Sequence, residues 1–273
     1  MVKYFYKICL LIFIGTVILT GCRVDLLGFI ISTDLDERLR ERYNFTFIER
    51  DNAPPLSLGD EYSFIVVADT HISNNNTRGF ERLKYAIDCG VKFVVVLGDI
   101  TQRGSEREVR KFIDIADTLG VPVFPVIGNH DIYFGNWSVW REKIGSTRYR
   151  IDSGGTTLFI LDSANTFYGR DQLSWLQSER YTAGERVFVF SHTNLFVEHP
   201  FDANQNIDMK ERARLVSILR NRADFMFTGH VHRHITKSVG GVRYINVEAF
   251  RRNRAYLRLT VTPTGIEYQL RRL

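Results

Sequence analysis

The sequence predicts an α/β protein in which two β-sheets pack face to face and carry helices on their outer faces. Three observations lead to this prediction. Short apolar runs rich in Val, Ile and Phe recur along the 273-residue chain and are typical of buried strands. Helical patterns alternate with these runs in the first half, which indicates parallel strands joined by helices. Strand patterns are more frequent in the second half, as a second sheet requires.

In the first half, two helices separate three predicted strands. Residues 79–89 carry apolar side chains at helical spacing, and Ser105 with Glu108 forms a capping-box pattern that opens a second helix through about residue 119. The three predicted strands are 62–68, 91–97 and 121–127.

In the second half, further strands and two helices complete the pattern. The predicted helices are 171–179 and 209–220. The predicted strands are 157–161, 186–190, 223–227, 243–247, 256–261 and 266–270.

The N-terminal residues read as an export signal. Lys3 and Lys7 precede an apolar stretch at 8–19, which is shorter than the roughly 20 residues that span a bilayer. The stretch ends in Leu-Thr-Gly-Cys22, which resembles the lipobox of bacterial lipoproteins and predicts lipidation of Cys22. An ordinary signal peptide and an uncleaved anchor are the alternatives.

These features predict three regions and a location. We expect a signal peptide at 1–21, a tether and N-terminal extension at 22–60, and one domain at 61–273. The extension contains a predicted short helix at 34–42 and a break at 52–55. The domain is expected outside the cytoplasm, anchored by lipid to a membrane of a bacterial cell envelope.

The net charge and the cysteine content argue against a nucleic-acid partner and against an internal disulfide. The formal charge of +5 falls to +3 without Lys3 and Lys7, and no dense basic stripe is visible, so no nucleic-acid partner is predicted. Removal of the signal takes away Cys9, and lipid would occupy Cys22. Only Cys89 would remain, which excludes an internal disulfide and suggests a buried core thiol.

Polar residues collect where the predicted strands end. Their ligand atoms are all nitrogen or oxygen, which suits two divalent ions such as Mn, Fe or Zn, and the absence of thiolates argues against a closed structural zinc site. Five of the seven histidines belong to this set, which is too many for solvent contacts alone. The set is Asp69, His71, Asp99, Asn129, His130, His192, His230 and His232.

The motifs that carry these residues resemble those of the calcineurin-like metallophosphoesterases. In chain order they are Asp69-x-His71, Gly98-Asp99, Gly128-Asn129-His130-Asp131, His192 and Gly229-His230-x-His232. The resemblance covers about residue 62 to the C-terminus and includes the class III cyclic-nucleotide phosphodiesterase branch. It implies a four-layer α/β/β/α sandwich of two mixed β-sheets and a two-metal site.

Carried over residue by residue, the resemblance assigns a role to each side chain. One ion would take Asp69, His71, Asp99 and His232, and the other would take Asp99, Asn129, His192 and His230, with Asp99 as the bridge. A hydroxide held between two such ions can attack phosphorus in line. His130 would give a proton or hydrogen bond to the leaving oxygen. Asp131 would hold the loop, or it is a simple turn residue.

Departures from the family pattern lie close to Asp99. Gln102 replaces the Tyr that purple acid phosphatases use as a ligand and the Asp that protein Ser/Thr phosphatases carry there. Arg103 matches the Arg of the latter's Gly-Asp-x-x-x-Arg-Gly pattern and is a candidate phosphate ligand, or else a solvated loop residue. His199 is expected in a loop, and His234 is a candidate contact on the substrate side.

The sequence therefore predicts an exported, lipid-anchored phosphoesterase that acts on phosphomonoesters or phosphodiesters, such as nucleotides or envelope esters. An outward-facing location disfavours a cytosolic messenger as substrate. A non-catalytic adaptor on the same fold and a nuclease are the alternatives. The complete residue set argues against the adaptor, and the weak charge argues against the nuclease.

Overall fold

A computed structural model describes residues 33–43, 46–51, 53–180, 184–196 and 208–273 and arranges their strands in two mixed sheets. The first sheet has the order β11-β10-β1-β2-β3, where β1, β2 and β3 are parallel. Its strands are β1 (Tyr62–Val67), β2 (Val91–Leu97), β3 (Val123–Val126), β10 (Ala255–Thr262) and β11 (Gly265–Arg272).

The second sheet has six strands in the order β4-β5-β6-β7-β9-β8. Strands β5, β6, β7 and β9 run parallel, and antiparallel strands close both edges. Its strands are β4 (Tyr149–Ser153), β5 (Thr156–Ile160), β6 (Arg186–Phe190), β7 (Phe225–Thr228), β8 (Ile235–Val239) and β9 (Val242–Asn246).

Helices cover the outer faces of both sheets, which gives the predicted four-layer α/β/β/α sandwich. The α-helices are α1 (Leu35–Arg40), α2 (Glu106–Asp117), α3 (Trp137–Lys143), α4 (Arg170–Ser178), α5 (Met209–Leu219) and α6 (Phe250–Asn253). Three 3₁₀ helices lie at Phe47–Glu49, Phe80–Ala86 and His130–Ile132.

Alternation along the strands produces this layering, because successive side chains of a strand face opposite sides. In β1, Phe64 and Val66 face the second sheet, whereas Ile65 and Val67 pack against the outer helices. The layer between the sheets is rich in aromatic rings: Phe64 stacks on Phe93 at 4.6 Å between ring centroids. A rigid core of this kind fixes the strand ends that carry the polar residues.

The segment predicted as a helix at 79–89 is instead a shorter 3₁₀ helix, Phe80–Ala86. Ile87 has extended backbone angles, and the Gly90 amide donates to Asp88 Oδ1 at 3.0 Å in the turn that leads into β2. Cys89 lies in this turn and is exposed, so the prediction of a buried core thiol is wrong.

The described residues of the predicted N-terminal extension are packed on the domain. The predicted short helix at 34–42 is present as α1 and is capped by Asp34, and Leu35 and Phe47 are buried. The Arg38 guanidinium donates to both carboxylate oxygens of Asp162, at 2.8 and 2.9 Å, and both side chains are fully buried. This part of the extension is therefore a component of the folded unit, not a free tether.

The predicted signal peptide and Cys22 lie outside the described residues, as does His199. Within the described ranges, no helix has both the length and the apolar character needed to cross a membrane.

Candidate metal centre

The carboxyl ends of five parallel strands bring the candidate ligands together. Asp69 and His71 follow β1, Asp99 follows β2, and Asn129 follows β3. His192 follows β6, and His230 with His232 follows β7. Loops at this edge of an open α/β sheet form the usual binding crevice. The carboxyl ends of these strands lie at the same end of the sandwich in both sheets. The seven side chains therefore form one cluster.

Left-handed backbone is concentrated at these strand exits. Non-glycine residues rarely adopt positive φ, and each such residue costs on the order of 1–3 kcal/mol. Five of the seven candidate ligands have φ between 46° and 74°: Asp69, His71, Asp99, His230 and His232. Strain of this kind is typical of functional sites, where it aims side chains that a relaxed loop would direct elsewhere.

Glycines beside the ligands make the close approach of the strands possible. A Cβ on Gly128 would lie 2.1 Å from the backbone nitrogen of Asp99. A Cβ on Gly98 would lie 2.5 Å from His192 Nδ1, and Gly98 also has a positive φ. The glycines in the Gly-Asp and Gly-Asn-His-Asp motifs are therefore required by packing within the cluster.

The first metal group consists of Asp69, His71, Asp99 and His232, whose ligand atoms lie within 4.8 Å of one another. His71 Nε2 is 4.0 Å from Asp69 Oδ1 and 3.7 Å from Asp99 Oδ2. His232 Nε2 is 3.3 Å from Asp69 Oδ1. Ligand atoms about 2.0–2.2 Å from a shared ion are separated by roughly 3–4 Å, so these spacings suit one ion.

The second metal group consists of Asp99, Asn129, His192 and His230. His192 Nε2 is 3.3 Å from Asp99 Oδ1, 3.1 Å from Asn129 Oδ1 and 3.1 Å from His230 Nδ1. Asp99 thus directs Oδ2 toward the first group and Oδ1 toward the second. A carboxylate placed in this way can bridge two ions.

The hydrogen bonds of His192 show which of its ring nitrogens can bind a cation in the second group. Its Nδ1 donates to the Leu97 carbonyl at 2.8 Å, which leaves Nε2 with a lone pair in the neutral ring. In that form the lone pair faces the oxygens of Asn129 and Asp99, which are also acceptors, and either a proton on Nε2 or a metal ion can satisfy all three. Acceptors converge in this way around a bound cation, because a buried polar atom without a partner is costly.

His71 provides the same evidence in the first group. Its ring is fully buried, and neither ring nitrogen has a hydrogen-bond partner among the described residues. Burial lowers the pKa of His71 to about 3, even though Asp99 and Asp69 raise it, so the ring is neutral and able to bind a metal. The residues of both groups therefore fit divalent ions.

The cluster attracts positive charge overall. Burial opposes protonation of His192, but the carboxylates of Asp99 and Asp69 outweigh it and raise the pKa of His192 to about 9. Burial likewise opposes ionisation of Asp99, but His192, His130 and His71 hold the pKa of Asp99 well below its usual range. An ion bound here would replace the proton that these carboxylates draw to His192.

His130 lies beside the first metal group but is not one of its members. Its Nδ1 donates to the Gln102 carbonyl at 2.8 Å, and its Nε2 lies 3.9 Å from Asp99 Oδ2. The side chain of His130 is 24% exposed, whereas that of His71, 4.6 Å away between ring centroids, is 1% exposed. His130 is therefore within reach of a substrate that enters from solvent, whereas His71 is not.

Asp131 holds the loops together. It is fully buried and accepts hydrogen bonds from the Gly128 amide and from the amide and hydroxyl of Thr101, at 2.8–2.9 Å. A weaker bond comes from the Ile100 amide at 3.3 Å. Its carboxylate thus ties the loop after β2 to the loop after β3, as expected from its place in the motif.

The two residues predicted to contact substrate are exposed side chains outside the two metal groups. Arg103 is exposed on the loop after β2, and His234 is exposed with its Nε2 3.4 Å from Thr236 Oγ1. Sequence patterns did not single out Arg251, which is half-buried and places Nη2 3.5 Å from His232 Nδ1. Burial lowers the pKa of Arg251, while Asp69 and Asp99 act in the opposite direction, which indicates that its charge lies near both carboxylates.

Comparisons with known proteins support the same interpretation. The family model for calcineurin-like phosphoesterase matches residues 62–234. A probable cyclic nucleotide phosphodiesterase from Fibrobacter succinogenes is 27% identical over 191 residues, which cover 62% of this chain and 72% of that protein. A probable glycerophosphodiester phosphodiesterase from Arcobacter nitrofigilis is 25% identical over 198 residues, which cover 62% of this chain and 71% of that protein.

Among solved structures, a purple acid phosphatase from yellow lupin seeds superposes with a TM-score of 0.67 at 13% identity, over 81% of this chain and 53% of that one. At this identity the likeness concerns the fold alone, and the chain spans about half of that structure. Members of the family typically use a pair of divalent metal ions, in keeping with the His and Asp cluster described above. The chain belongs to the calcineurin-like phosphoesterase family and is a hydrolase of phosphoric ester bonds.

Proposed function

We propose that this protein is an exported, lipid-anchored phosphoesterase that hydrolyses phosphate esters, phosphodiesters in particular, with two divalent ions. The observation that carries the proposal is the shared carboxylate of Asp99. One of its oxygens faces each metal group, and His130 lies 3.9 Å away on the side open to solvent. The two relatives compared above are both named as probable phosphodiesterases, which supports the preference for diesters.

The donor set supports Mn, Fe or Zn as the native ions. Imidazole, carboxylate and amide ligands without thiolate suit ions of borderline hardness. When bound, the ions supply Lewis acidity to the phosphoryl oxygens and lower the pKa of water. Gln102 offers no phenolate ligand near Asp99, so we do not expect the iron–tyrosinate colour of purple acid phosphatases.

The side chains of the protein supply the remaining steps. Asp99 would hold both ions, and the imidazoles and carboxylates around it exclude bulk water from the buried side of the centre. Nε2 of His130 gives a proton to the leaving alkoxide, while its Nδ1 stays tied to Gln102. Arg251 adds a positive charge beside His232, where it can offset the charge of a phosphate group.

A substrate panel tests the function. The protein purified without its first 22 residues, assayed with added Mn²⁺, should hydrolyse bis(p-nitrophenyl) phosphate and alkyl phosphodiesters such as glycerophosphoethanolamine. Removal of metal with EDTA should abolish turnover, and Mn²⁺ should restore it. If the metal-loaded protein cleaves no mono- or diester, the adaptor alternative becomes the better account.

The membrane anchor is tested separately. The motif at residues 19–22 predicts that Cys22→Ser moves the protein from the membrane fraction to the soluble fraction and removes the mass of the lipid. The physical reason is that two or more acyl chains bind a bilayer stably, whereas a bare chain does not. Fractionation and intact-mass spectrometry of wild type and variant give the answer. A variant that stays in the membrane at wild-type mass would show that Cys22 is not lipidated.

A further inference from the structure

Tyr133 touches both a candidate metal ligand and the candidate acid, although no motif includes it. It lies one residue beyond the 3₁₀ helix His130–Ile132 that follows Asn129. Its ring is half-buried, and burial followed by the charge of Asp99 raises the pKa of the phenol to about 12. The hydroxyl is therefore protonated at neutral pH.

The hydroxyl of Tyr133 fixes one end of the Asn129 amide. Asn129 Nδ2 donates to Tyr133 Oη, and this bond directs the opposite end of the amide, Oδ1, toward His192 Nε2 at 3.1 Å. An amide that turned over would present N–H donors to the second metal group, and an N–H donor cannot bind a cation. Without the phenol, nothing among the described contacts of Nδ2 would hold the amide in the orientation that binds an ion.

The ring of Tyr133 packs on the imidazole of His130. Their centroids are 4.4 Å apart and their planes are inclined by 39°. Together with the Nδ1 bond to Gln102, this contact limits rotation of the imidazole and keeps Nε2 toward Asp99 Oδ2. Aromatic packing of this type favours one rotamer of the imidazole over the others.

The turn after Tyr133 fixes its backbone. The Asn136 amide donates to the Tyr133 carbonyl at 3.2 Å, and Phe134 and Gly135 both have positive φ. Asn136 Nδ2 in turn donates to the Arg103 carbonyl at 2.9 Å on the loop after β2. The phenol is thus presented by a braced turn, and its two contacts are properties of the fold.

We propose that Tyr133 is a positioning residue with two separable parts: its hydroxyl holds Asn129 in the orientation that binds the second ion, and its ring holds His130 toward the leaving group. The inference rests on the proposed function for the role of His130. The role of the hydroxyl rests on geometry alone.

Two variants separate the parts. Tyr133→Phe keeps the ring and removes the hydroxyl, so its affinity for one of the two Mn²⁺ ions should fall by roughly 10- to 100-fold, the usual cost of losing a residue that orients a metal ligand. At saturating Mn²⁺ its ratio of rates on aryl and alkyl phosphodiesters should match wild type. Tyr133→Leu should lose the same affinity and, at saturating Mn²⁺, should also lose rate selectively on the alkyl ester.

Equilibrium dialysis with Mn²⁺ alone measures the first effect, and steady-state rates on the two esters measure the second. Tyr149→Phe is the matched control, because its hydroxyl donates to the Pro125 carbonyl of β3 at 2.7 Å and not to a candidate ligand. This control should bind and turn over as wild type.

Wild-type Mn²⁺ affinity in Tyr133→Phe would overturn the role of the hydroxyl. Equal slowing of both esters by Tyr133→Leu at full occupancy would overturn the role of the ring. A wild-type protein that hydrolyses no ester would overturn the proposed function and the ring's role together, but dialysis would still decide the hydroxyl's role.

Discussion

Asp99→Ala should release both metal ions and abolish hydrolysis, which is the largest effect we expect from a single substitution. Among the described residues, Asp99 is the one side chain that offers an oxygen to each metal group. Removing a residue that only orients a metal ligand typically costs 10- to 100-fold in affinity, so loss of a shared ligand should exceed about 100-fold at both sites. Elemental analysis after dialysis, together with turnover of bis(p-nitrophenyl) phosphate, measures the two consequences.

The matched control is Asp88→Ala. Asp88 is an exposed carboxylate in the turn before β2, at the opposite end of that strand from Asp99, and it pairs with Arg258. Its replacement removes the same charge without touching the centre. This control should keep both ions and full activity. Full metal content in Asp99→Ala would refute the bridging assignment, whatever its effect on rate.

Much of the fold could be predicted because the strands that hold the centre are almost wholly apolar. Residues 91–97 and 186–190 were predicted as strands, and β2 and β6 occupy the same residues. Both are buried along nearly all of their length, so a continuous apolar run was the right signal. The capping box at Ser105 was also predicted, because its two hydrogen bonds are local.

The two edge strands of the second sheet escaped prediction for the converse reason. Strand β4 is only partly buried, and β8 exposes most of its side chains, so neither has an apolar pattern. Both are recognisable only through their pairing with β5 and β9. The packing of the N-terminal extension was missed for a similar reason, since the buried pair of Arg38 and Asp162 joins residues far apart in sequence.

The candidate ligands could be named from sequence because their motifs place Asp, Asn and His directly after apolar runs. The residues that orient them could not. Tyr133 and Arg251 belong to residue types with many uses, and their positions beside Asn129 and His232 depend on turns whose geometry no local pattern shows. The motifs therefore identify the residues that bind metal, whereas the residues that orient these ligands are determined by the three-dimensional fold.

His130→Ala should keep both ions but lose about 10²- to 10⁴-fold in rate on an alkyl phosphodiester, the usual contribution of a positioned general acid. Its Nε2 is 3.9 Å from Asp99 Oδ2, and its side chain is more exposed than those of His71, His192 and His232. It can therefore meet the leaving oxygen without serving as a ligand. Rates should be compared at saturating Mn²⁺, with metal content measured on the same samples.

Esters with different leaving groups test whether His130 acts as a general acid or as a metal ligand. A nitrophenolate leaves without a proton, so the loss in His130→Ala should shrink on bis(p-nitrophenyl) phosphate, whereas an alkoxide needs the proton and should show the full loss. His192→Ala removes a candidate ligand and should instead lower metal content and slow both esters alike. Asp88→Ala, which alters an exposed ion pair before β2, should change neither. If His130→Ala empties the centre, or slows the aryl and alkyl esters equally, then His130 binds metal or supports the fold, and the proton must come from another group.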